Sequence, residues 1–555
     1  MEAAPVHIIQ YFDGSKQGII PLFQRPYSWE PKDWNTLWDD LMGQYDEDER
    51  ASHFMGAIVT VPVRSVPVGV GKHLVIDGQQ RLTTLSILLA AIRDSAAAAD
   101  DQATAGIIGD LLVNRHYKAP DDLKLVPTQT DRAAYNALVY SQDVAPYEES
   151  KVIQAYRHFR KKLEGSDLND QPMVPSRTLQ AIQQSLQVVM INLGEFDDPY
   201  LIFESLNHRG RPLSQGDLVR NYVLMRFQHS TSAGGEQESV YEDPWRPMES
   251  SLNASMTEFL RHYGMRYGRN VRKGDIYSAS KLEFEKLKDV SEVRASLVAM
   301  KQASLAYEGF IAPDTATNPK IAVRLQGMLD LDSTVFYPLL IRLFRLASLN
   351  AITGETLLHC LDVLESFYVR RLVCNVPTNA LNKITLELCA NLSEDNPHTW
   401  LRENLAKGSS GRRWPSDQEF TDALVTGRLY PRRKLARFML EALEDAFDHK
   451  EPVSTSTATM EHVMPQTLSD AWRDSLGTDV EAIHERWLDT LGNLTLTGYN
   501  PELGNLPFEA KKAQLANTHF ELSRSLLSKE SWGPTELEAR GRELATIAVN
   551  RWARE

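Results

Sequence analysis

The sequence has few cysteines and no long apolar segment. Its 555 residues include three cysteines, Cys360, Cys374 and Cys389, and none of them belongs to a CxxC pair. A disulfide framework and a zinc ribbon are therefore excluded as the basis of the fold. No apolar run reaches the roughly 18 residues that a membrane-spanning helix needs. The N-terminus lacks the basic and apolar regions of a secretory signal, so we expect a cytoplasmic protein with no membrane partner.

The chain also lacks an overall positive charge. Its formal net charge of −14 argues against a protein that coats nucleic acid. It does not argue against an enzyme that binds nucleic acid locally, because local charge determines the contact. Residues 402–437 carry nine basic and four acidic residues, a local excess of positive charge. Hydrophobic content of 42% and charged content of 24% are typical of globular protein, and the length suits two to four domains.

The most informative stretch is residues 72–93, KHLVIDGQQRLTTLSILLAAIR. It predicts a strand at His73–Ile76, a tight turn and a long helix that begins near Gln80, because apolar residues recur every three or four positions. The first N–H groups of a helix can bind a phosphate, and an arginine adds a forked cation. The candidate nucleotide-binding residues are Asp77, Gly78, Gln79, Gln80 and Arg81. In the alternative interpretation, Asp77 caps the helix and the turn is only structural.

A second polar loop follows a predicted strand at Gly18–Phe23. Pro26 breaks regular structure there, and a helix at Lys32–Leu41 then presents an apolar face. The loop combines hydrogen-bond donors, a cation and aromatic rings, which suit a phosphate or a base. Its candidate residues are Gln24, Arg25, Tyr27 and Trp29. A third polar turn contains Asn207 and Arg209, with a solvated loop as the alternative.

The middle of the chain is predicted to be mostly amphipathic helix. His229–Asp243 is rich in Gly, Ser and Glu and indicates a linker or exposed loop. Residues 261–273 interleave cations with aromatic residues, which favours either a DNA-backbone contact or a charged helix face. The basic segment 428–437, RLYPRRKLAR, could guide a duplex.

The C-terminal hundred residues contain the groups that phosphodiester hydrolysis requires. A neutral imidazole can take a proton from water, and carboxylate and amide oxygens suit a hard divalent cation. Glu461, His462 and Asn500 supply these groups. Residues 461–466, EHVMPQ, precede residues 492–496, GNLTL, by an interval long enough for a loop and a hairpin.

Several of these stretches resemble GmrSD-type restriction proteins. Residues 23–41, 75–85 and 202–222 are similar to the N-terminal domain, whose fold is similar to ParB and sulfiredoxin. EHVMPQ is close to the DHIVPQ of the HNH domains in CRISPR effectors, and GNLTL followed by Asn500 fits the C-terminal domain. The resemblance implies that His462 is the general base and that Asn493 braces its loop. It also implies that Glu461 and Asn500 hold Mg²⁺ or Mn²⁺. Residues 365–383 match the family pattern as well, and this match implies that Arg370 and Arg371 face the N-terminal nucleotide domain or DNA.

We therefore predict a predominantly helical α+β protein with three domains. These are a ParB/sulfiredoxin-like α/β nucleotide domain (1–228), a helical connecting domain (244–450) and an HNH ββα-metal nuclease domain (451–555). By the resemblance, the first domain binds and hydrolyses GTP or ATP with Asp77–Arg81, Asn207 and Arg209. The loop at 24–29 would sense modified DNA.

The predicted function is NTP-dependent, modification-dependent DNA cleavage in prokaryotic defence against phage. The family contains proteins that act on glucosylated or hydroxymethylated cytosine and proteins that respond to phosphorothioate DNA, and the sequence does not choose between them. A homodimer is one arrangement that the sequence leaves open. Two alternatives also stay open: an NTP-regulated nuclease toxin that acts on unmodified nucleic acid, and a non-catalytic ParB-like regulator.

Overall fold

The computed structural model describes residues 2–21, 24–45, 52–63, 69–167, 169–194, 214–227, 235–316, 318–447 and 454–554. The chain divides into two compact units. One comprises Met1–Arg246 and Lys281–Arg294, and the other Pro247–Ser280 and Ala295–Glu555. Within the described ranges, no helix has both the length and the apolar character to cross a membrane. The three predicted domain ranges stay a prediction.

The first unit contains a mixed six-stranded sheet. Its strands are β1 (Glu2–His7), β2 (Lys16–Ile19), β3 (His53–Pro62), β4 (Gly71–Asp77), β5 (Leu125–Val126) and β6 (Leu186–Asn192). Their order in the sheet is β1-β6-β3-β4-β2-β5. The β1–β6 and β3–β4 pairs are antiparallel and the other three are parallel. Strand β4 therefore lies inside the sheet, and the turn that follows it starts from a fixed position.

Helix α2 (Gln79–Ala98) is the centre of this unit. Most of its residues are buried, on all sides of the helix, as expected for a helix surrounded by others, and Leu82, Leu85 and Leu88 are fully buried. Each such burial contributes about 1.5–3 kcal/mol. The helices that pack against it are α3 (Gln102–Leu112), α4 (Gln129–Val139), α5 (Lys151–Leu163) and α6 (Pro175–Ser185); the unit also contains α1 (Pro31–Met42), which packs on α5, and α7 (Gln215–Met225).

The rest of the chain is mainly helical. Its helices up to residue 445 are α8 (Gly235–Val240), α9 (Arg246–Leu252), α10 (Met256–Met265), α11 (Ile276–Phe284), α12 (Val290–Ile311), α13 (Pro319–Asp330), α14 (Tyr337–Ser348), α15 (Gly354–Val373), α16 (Leu381–Asn391), α17 (Pro397–Ala406), α18 (Asp417–Thr426) and α19 (Arg433–Asp445). Asn318, Thr353 and Ser416 cap three of them through their side-chain oxygens.

A two-stranded antiparallel sheet interrupts the helices near the C-terminus. It consists of β7 (Thr459–His462) and β8 (Leu494–Thr497). The helices around it are α20 (Asp470–Leu476), α21 (Val480–Trp487), α22 (Asn500–Leu503), α23 (Phe508–Leu515), α24 (Glu521–Arg524) and α25 (Pro534–Arg551). Helix α18 packs along α25, so residues upstream of 451 pack with the C-terminal elements.

The predominantly helical α+β fold is confirmed, with a mixed sheet in the N-terminal unit. The predicted apolar helix at Lys32–Leu41 is also confirmed, as α1 buries Trp34 and Trp38. The predicted loop at His229–Asp243 is partly wrong. Residues 229–234 of this stretch lie outside the described ranges, but Gly235–Val240 is helical, and Val240 is fully buried.

Candidate functional site

The turn between β4 and α2 requires a glycine. Gly78 has φ of 91°, a left-handed conformation that other residues rarely adopt. A Cβ there would lie 2.9 Å from Ile58 Cγ1 and 3.2 Å from the carbonyl oxygen of Ala57. Gly78 itself occupies the N-cap, and Asp77 ends the strand without a capping hydrogen bond to any described residue. The N-terminus of α2 is therefore fixed by strand β3 and not by the carboxylate that precedes it.

Three glutamines connect this turn to the loop at residues 24–28. The Gln24 side chain donates to the carbonyl oxygen of Ile76 at 2.8 Å and accepts from Gln79 at 3.0 Å. The Gln80 amide accepts from the Ser28 backbone N–H at 2.8 Å and donates to a backbone carbonyl of the loop. The predicted sensing loop and the predicted nucleotide turn are therefore one hydrogen-bonded structure.

Tyr27 belongs to the core of the first unit. Its hydroxyl group is 2.8 Å from the Thr84 hydroxyl and accepts from Trp34 Nε1 at 2.8 Å, while its backbone N–H donates to Asp131. Burial raises the pKa of this phenol well above its ordinary value. Trp29 is half-buried against the same core. Gln24 and Tyr27 are thus packed inside, although the sequence suggested an accessible polar loop.

Arg81 and Arg25 are the cations of this region. Arg81 Nη1 donates to the carbonyl oxygen of Ala57 at 2.9 Å. Gly56, with φ of 105°, lies against the guanidinium group, where a Cβ would be 3.0 Å from Cζ. Arg25 is partly exposed. Asn207 and Arg209, the other predicted nucleotide-binding residues, lie outside the described residues.

The second candidate site is on the antiparallel strands β7 and β8, which we call the β7–β8 hairpin although helices α20 and α21 lie between them in the chain. Glu461 pairs with Thr495 and His462 with Leu494, so the two predicted active residues are neighbours at the end of β7. Both side chains are more than nine-tenths buried. Because adjacent strand residues point to opposite faces, Glu461 and His462 contact different surroundings.

His462 contacts a carboxylate and an aromatic ring. Its Nε2 is 3.4 Å from Asp489 Oδ1, and the ring of Tyr430 lies edge-on with centroids 4.0 Å apart. Arg428 donates to the other Asp489 oxygen at 2.7 Å. Burial lowers the pKa of His462 to about 4, against an opposing effect of Asp489. The imidazole is therefore neutral at pH 7, the form that accepts a proton.

Glu461 forms a buried ion pair. Lys511 of α23 donates to its Oε1 at 2.5 Å and to the carbonyl oxygen of His462 at 2.8 Å. Burial raises the pKa of Glu461 and lowers that of Lys511, and each charge opposes the effect of burial on the other. Lys512 points elsewhere and donates to the carbonyl oxygen of Lys529. The surroundings of the Glu461 carboxylate therefore already contain one cationic group, the ammonium group of Lys511.

Asn493 fixes the loop after β7. Its side chain accepts from the Met464 N–H at 2.7 Å and donates to the carbonyl oxygens of Met464 and Leu488. The preceding Gly492 allows close packing, because a Cβ there would lie 2.1 Å from the carbonyl oxygen of Leu537. Arg540, which lies with Leu537 in helix α25, donates to the carbonyl oxygens of Gly492 and Leu494. The packing against Leu537 therefore explains the glycine at position 492, and the hydrogen bonds to the loop explain the asparagine at position 493.

The described residues fit a divalent cation in part. Glu461 offers the carboxylate oxygen that a hard ion prefers, and a cationic ammonium group already binds it. Asn500 begins helix α22, which packs against β7, but its side chain lies outside the described atoms. Among the described residues, no three His, Cys, Asp or Glu side chains form a metal-binding group.

The sequence analysis missed the groups that surround His462. Asp489 lies four positions before Asn493, and an acidic residue just ahead of the Gly-Asn pair is the signal that could have identified it. The backbone N–H of Leu429 donates to the Asp489 carbonyl at 2.8 Å. The basic segment 428–437 therefore closes one side of the site.

Two comparisons with known domains match this chain. Residues 8–224 match the N-terminal domain of GmrSD restriction endonuclease, and residues 414–547 match the C-terminal domain of GmrSD restriction endonucleases. No curated protein matches the chain. The first match covers strands β2–β6 and the β4–α2 turn, and the second covers the hairpin together with Tyr430, Asp489 and Lys511. The chain therefore belongs to the GmrSD restriction endonuclease family.

Proposed function

We propose that the protein is an NTP-dependent, modification-dependent DNA endonuclease that acts in defence against phage. The observation that carries the proposal is the pair Glu461 and His462 at the end of β7, with Asp489 beside the imidazole. A restriction endonuclease cleaves DNA, and this hairpin holds a neutral imidazole in a buried, braced position. We infer that it is an HNH, or ββα-metal, nuclease site.

In this mechanism His462 is the general base. Its lowered pKa keeps it unprotonated at neutral pH, so it can take a proton from the attacking water. Asp489 orients the ring through Nε2 and stabilises the imidazolium that forms. The other ring nitrogen, Nδ1, is then the atom that accepts the proton. Asn493 keeps the loop after His462 in place and does not itself transfer a proton.

Glu461 and Asn500 would hold a magnesium or manganese ion. Such an ion supplies charge neutralisation at the phosphate and at the leaving oxygen. Lys511 would then balance the charge of Glu461 whenever the carboxylate has no other cation. Arg428 and Arg433, at the edge of the site, are suited to the DNA backbone, because Arg428 is two-thirds exposed.

The nucleotide is assigned to the β4–α2 turn. The N-terminus of α2 and the guanidinium group of Arg81 would bind the phosphates of GTP or ATP, with Asn207 and Arg209 completing the site. Arg81 has one hydrogen bond among the described residues, to Ala57, and so has further donors to offer. The loop at 24–29 would transmit the modification signal through its glutamine contacts to Gln79 and Gln80.

A cleavage panel tests the proposal. Unmodified, hydroxymethylated, glucosylated and phosphorothioated plasmids would each be incubated with Mg²⁺, alone, with GTP and with ATP. We expect one modified plasmid to be cut only with a nucleotide. His462→Ala should reduce its cutting about 100- to 10,000-fold and leave NTP hydrolysis unchanged. The exposed His519→Ala is the matched control and should cut normally.

Each failure has a distinct meaning. If unmodified plasmid is cut as fast as the modified plasmids, the protein is a general nuclease and not a modification-dependent one. Unchanged cutting by His462→Ala would remove the hairpin from catalysis. Loss of NTP hydrolysis in the same variant would show that the two activities do not reside in separate sites.

A further inference from the structure

A cavity of about 730 Å³ lies in the helical region between the two family matches. Helices α10, α12 and α14 supply most of its walls, and all of these lining residues belong to the second unit. Cavities of about 300–1,000 Å³ are typical of small-molecule sites. Neither the β7–β8 hairpin nor the β4–α2 turn contributes a residue to it. A ligand of this cavity would therefore be bound by residues that belong to neither of the two candidate sites.

The charges that line the cavity favour an anion. Three arginines, Arg266, Arg342 and Arg345, face it together with one carboxylate, Glu394. Arg342 is paired with Glu394, and its other nitrogen donates to a backbone carbonyl. Arg345 is exposed and donates to the hydroxyl group of Tyr267 at 2.6 Å. The lining therefore has a positive excess, with an accessible guanidinium group at its edge.

Two tyrosines give the cavity a surface for stacking. The Arg266 guanidinium carbon lies 3.5 Å from the ring centroid of Tyr263 and 4.7 Å from that of Tyr267. Arg342 lies 5.2 Å from the Tyr267 centroid. Although it contacts these cations, Tyr267 is 50% exposed. A half-exposed ring held by arginines is the kind of platform on which bases stack in proteins that bind single-stranded nucleic acid.

Small side chains leave room beside this platform. Ala303, Ala306 and Gly309 face the cavity from α12, and a Cβ on Gly309 would meet its nearest neighbours only at 3.7 and 3.8 Å. Leu305 and Leu349, also in the lining, are 58% and 59% exposed. A ligand with an apolar, planar part would cover this surface, and an anionic part would meet Arg345.

We propose that this cavity binds a single nucleotide, with the base against Tyr267 and the small residues of α12 and the phosphate beside Arg345. The nucleotide would be either free in solution or part of a DNA strand whose base has left the stack. This site is separate from the proposed NTP site at the β4–α2 turn. Its failure would leave the proposed function unchanged.

Photo-crosslinking of the full chain tests this proposal. One probe is azidoadenosine monophosphate, a free nucleotide, and the other is a single-stranded oligonucleotide that contains iododeoxyuridine. We expect at least one probe to label peptides that contain residues 263–267, 299–309 or 341–349, identified by mass spectrometry. Labelling by the mononucleotide indicates a free ligand, and labelling by the oligonucleotide alone indicates an unstacked base of a strand.

Two variants give the assignment its specificity. Arg345→Ala removes the exposed cation and should reduce labelling about tenfold, because the phosphate loses a charge-assisted hydrogen bond. Ala306→Phe should fill the cavity and abolish labelling. Arg542→Ala removes an exposed arginine from α25 and should label as the unmodified protein does.

Three outcomes would overturn the proposal. The first is no labelling of these peptides by either probe. The second is labelling that neither variant reduces; if Ala306→Phe fails to fold by circular dichroism, Arg345→Ala decides alone. The third is that the two variants label as the unmodified protein does but differ from it in oligomeric state by size-exclusion chromatography. This result would indicate that the cavity receives a segment of a second copy.

Discussion

The β4–α2 turn and the β7–β8 hairpin differ in where their supporting contacts come from. At the turn, Gln24 binds Gln79 and the carbonyl oxygen of Ile76, and Gln80 binds the backbone of the loop at residues 24–28, so every partner belongs to a stretch that the sequence analysis singled out. At the hairpin, Glu461 and His462 are held by Lys511 and Asp489, which lie 50 and 27 positions further along the chain. A site can thus be supported by residues of its own recognised motifs or by residues outside them, even where both kinds of partner are distant in the chain.

The difference also concerns charge. The contacts of the glutamines are neutral hydrogen bonds, whereas the hairpin buries an ammonium, a carboxylate and an imidazole. Neutral hydrogen bonds contribute about 0.5–1.5 kcal/mol each, but removal of one partner from a buried ion pair costs about 3–5 kcal/mol. Substitutions should therefore affect stability more at the hairpin and binding more at the turn.

Lys511→Met should give the largest loss of stability. It leaves the buried Glu461 carboxylate without its cation, and we expect the free energy of unfolding in urea to fall by about 3–5 kcal/mol. The double variant Glu461→Gln, Lys511→Met should recover most of this loss, because no charge then remains unpaired.

Lys512→Met is the control for this prediction. Lys512 pairs with the exposed Glu509 and donates to the carbonyl oxygen of Lys529, so its substitution removes a hydrogen bond but leaves no buried charge unpaired and should cost about 0.5–1.5 kcal/mol. If both lysine variants lose the same free energy of unfolding, the ion pair with Glu461 contributes no more to stability than a partly exposed one. The contrast in charge between the hairpin and the turn would then have no effect on stability.

Gln24→Ala should have a smaller but measurable effect. It leaves the carbonyl oxygen of Ile76 and the Gln79 amide without their partner, and a buried unsatisfied group costs about 1–3 kcal/mol. Urea unfolding measures this loss. Gln154→Ala on the exposed face of α5 should change stability by less than about 0.5 kcal/mol. A Gln24 variant of unchanged stability would contradict a bracing role for this loop.

The sequence predicted the local parts of both sites. Gly78, the strand before it and the helix after it follow from backbone preference and apolar periodicity, and the structure contains all three. The adjacency of Glu461 and His462 is likewise a sequence fact. Tyr27 was not predicted to be buried, because its hydroxyl group finds Thr84 and Trp34 only after the helices have packed.

Contacts between distant segments could not be predicted. The pair Lys511-Lys512 does not indicate which ammonium points inward, because the orientation of α23 decides it. The expectation that Arg370 and Arg371 face the nucleotide domain or DNA is wrong. Both are almost fully buried and donate to backbone carbonyls, among them those of Trp552 and Pro377. A buried guanidinium group is stable where several backbone carbonyl oxygens can accept its hydrogen bonds. These carbonyl groups come from distant segments of the chain, so a local sequence pattern does not predict them.

Arg81→Ala tests the turn as a binding site. We expect about tenfold weaker binding of GTP or ATP, from the loss of one charge-assisted hydrogen bond, with little change in stability. Equilibrium binding of a fluorescent nucleotide measures the first quantity and urea unfolding the second. Arg115→Ala, which removes an exposed arginine of the same unit, should bind normally. Unchanged binding by Arg81→Ala would remove this residue from the site.

The smallest expected effect is that of pH on cleavage. The His462 pKa is lowered to about 4, so the imidazole stays neutral, and active as a base, until the pH falls to that value. The kcat/KM for cleavage should therefore change little between about pH 8 and pH 5, instead of falling near the ordinary histidine pKa of about 6.5. Asp489→Asn removes the group that raises this pKa, so any acid limb should move to still lower pH. An acid limb near pH 6.5 that this variant does not move would mean that a group other than the buried imidazole takes the proton.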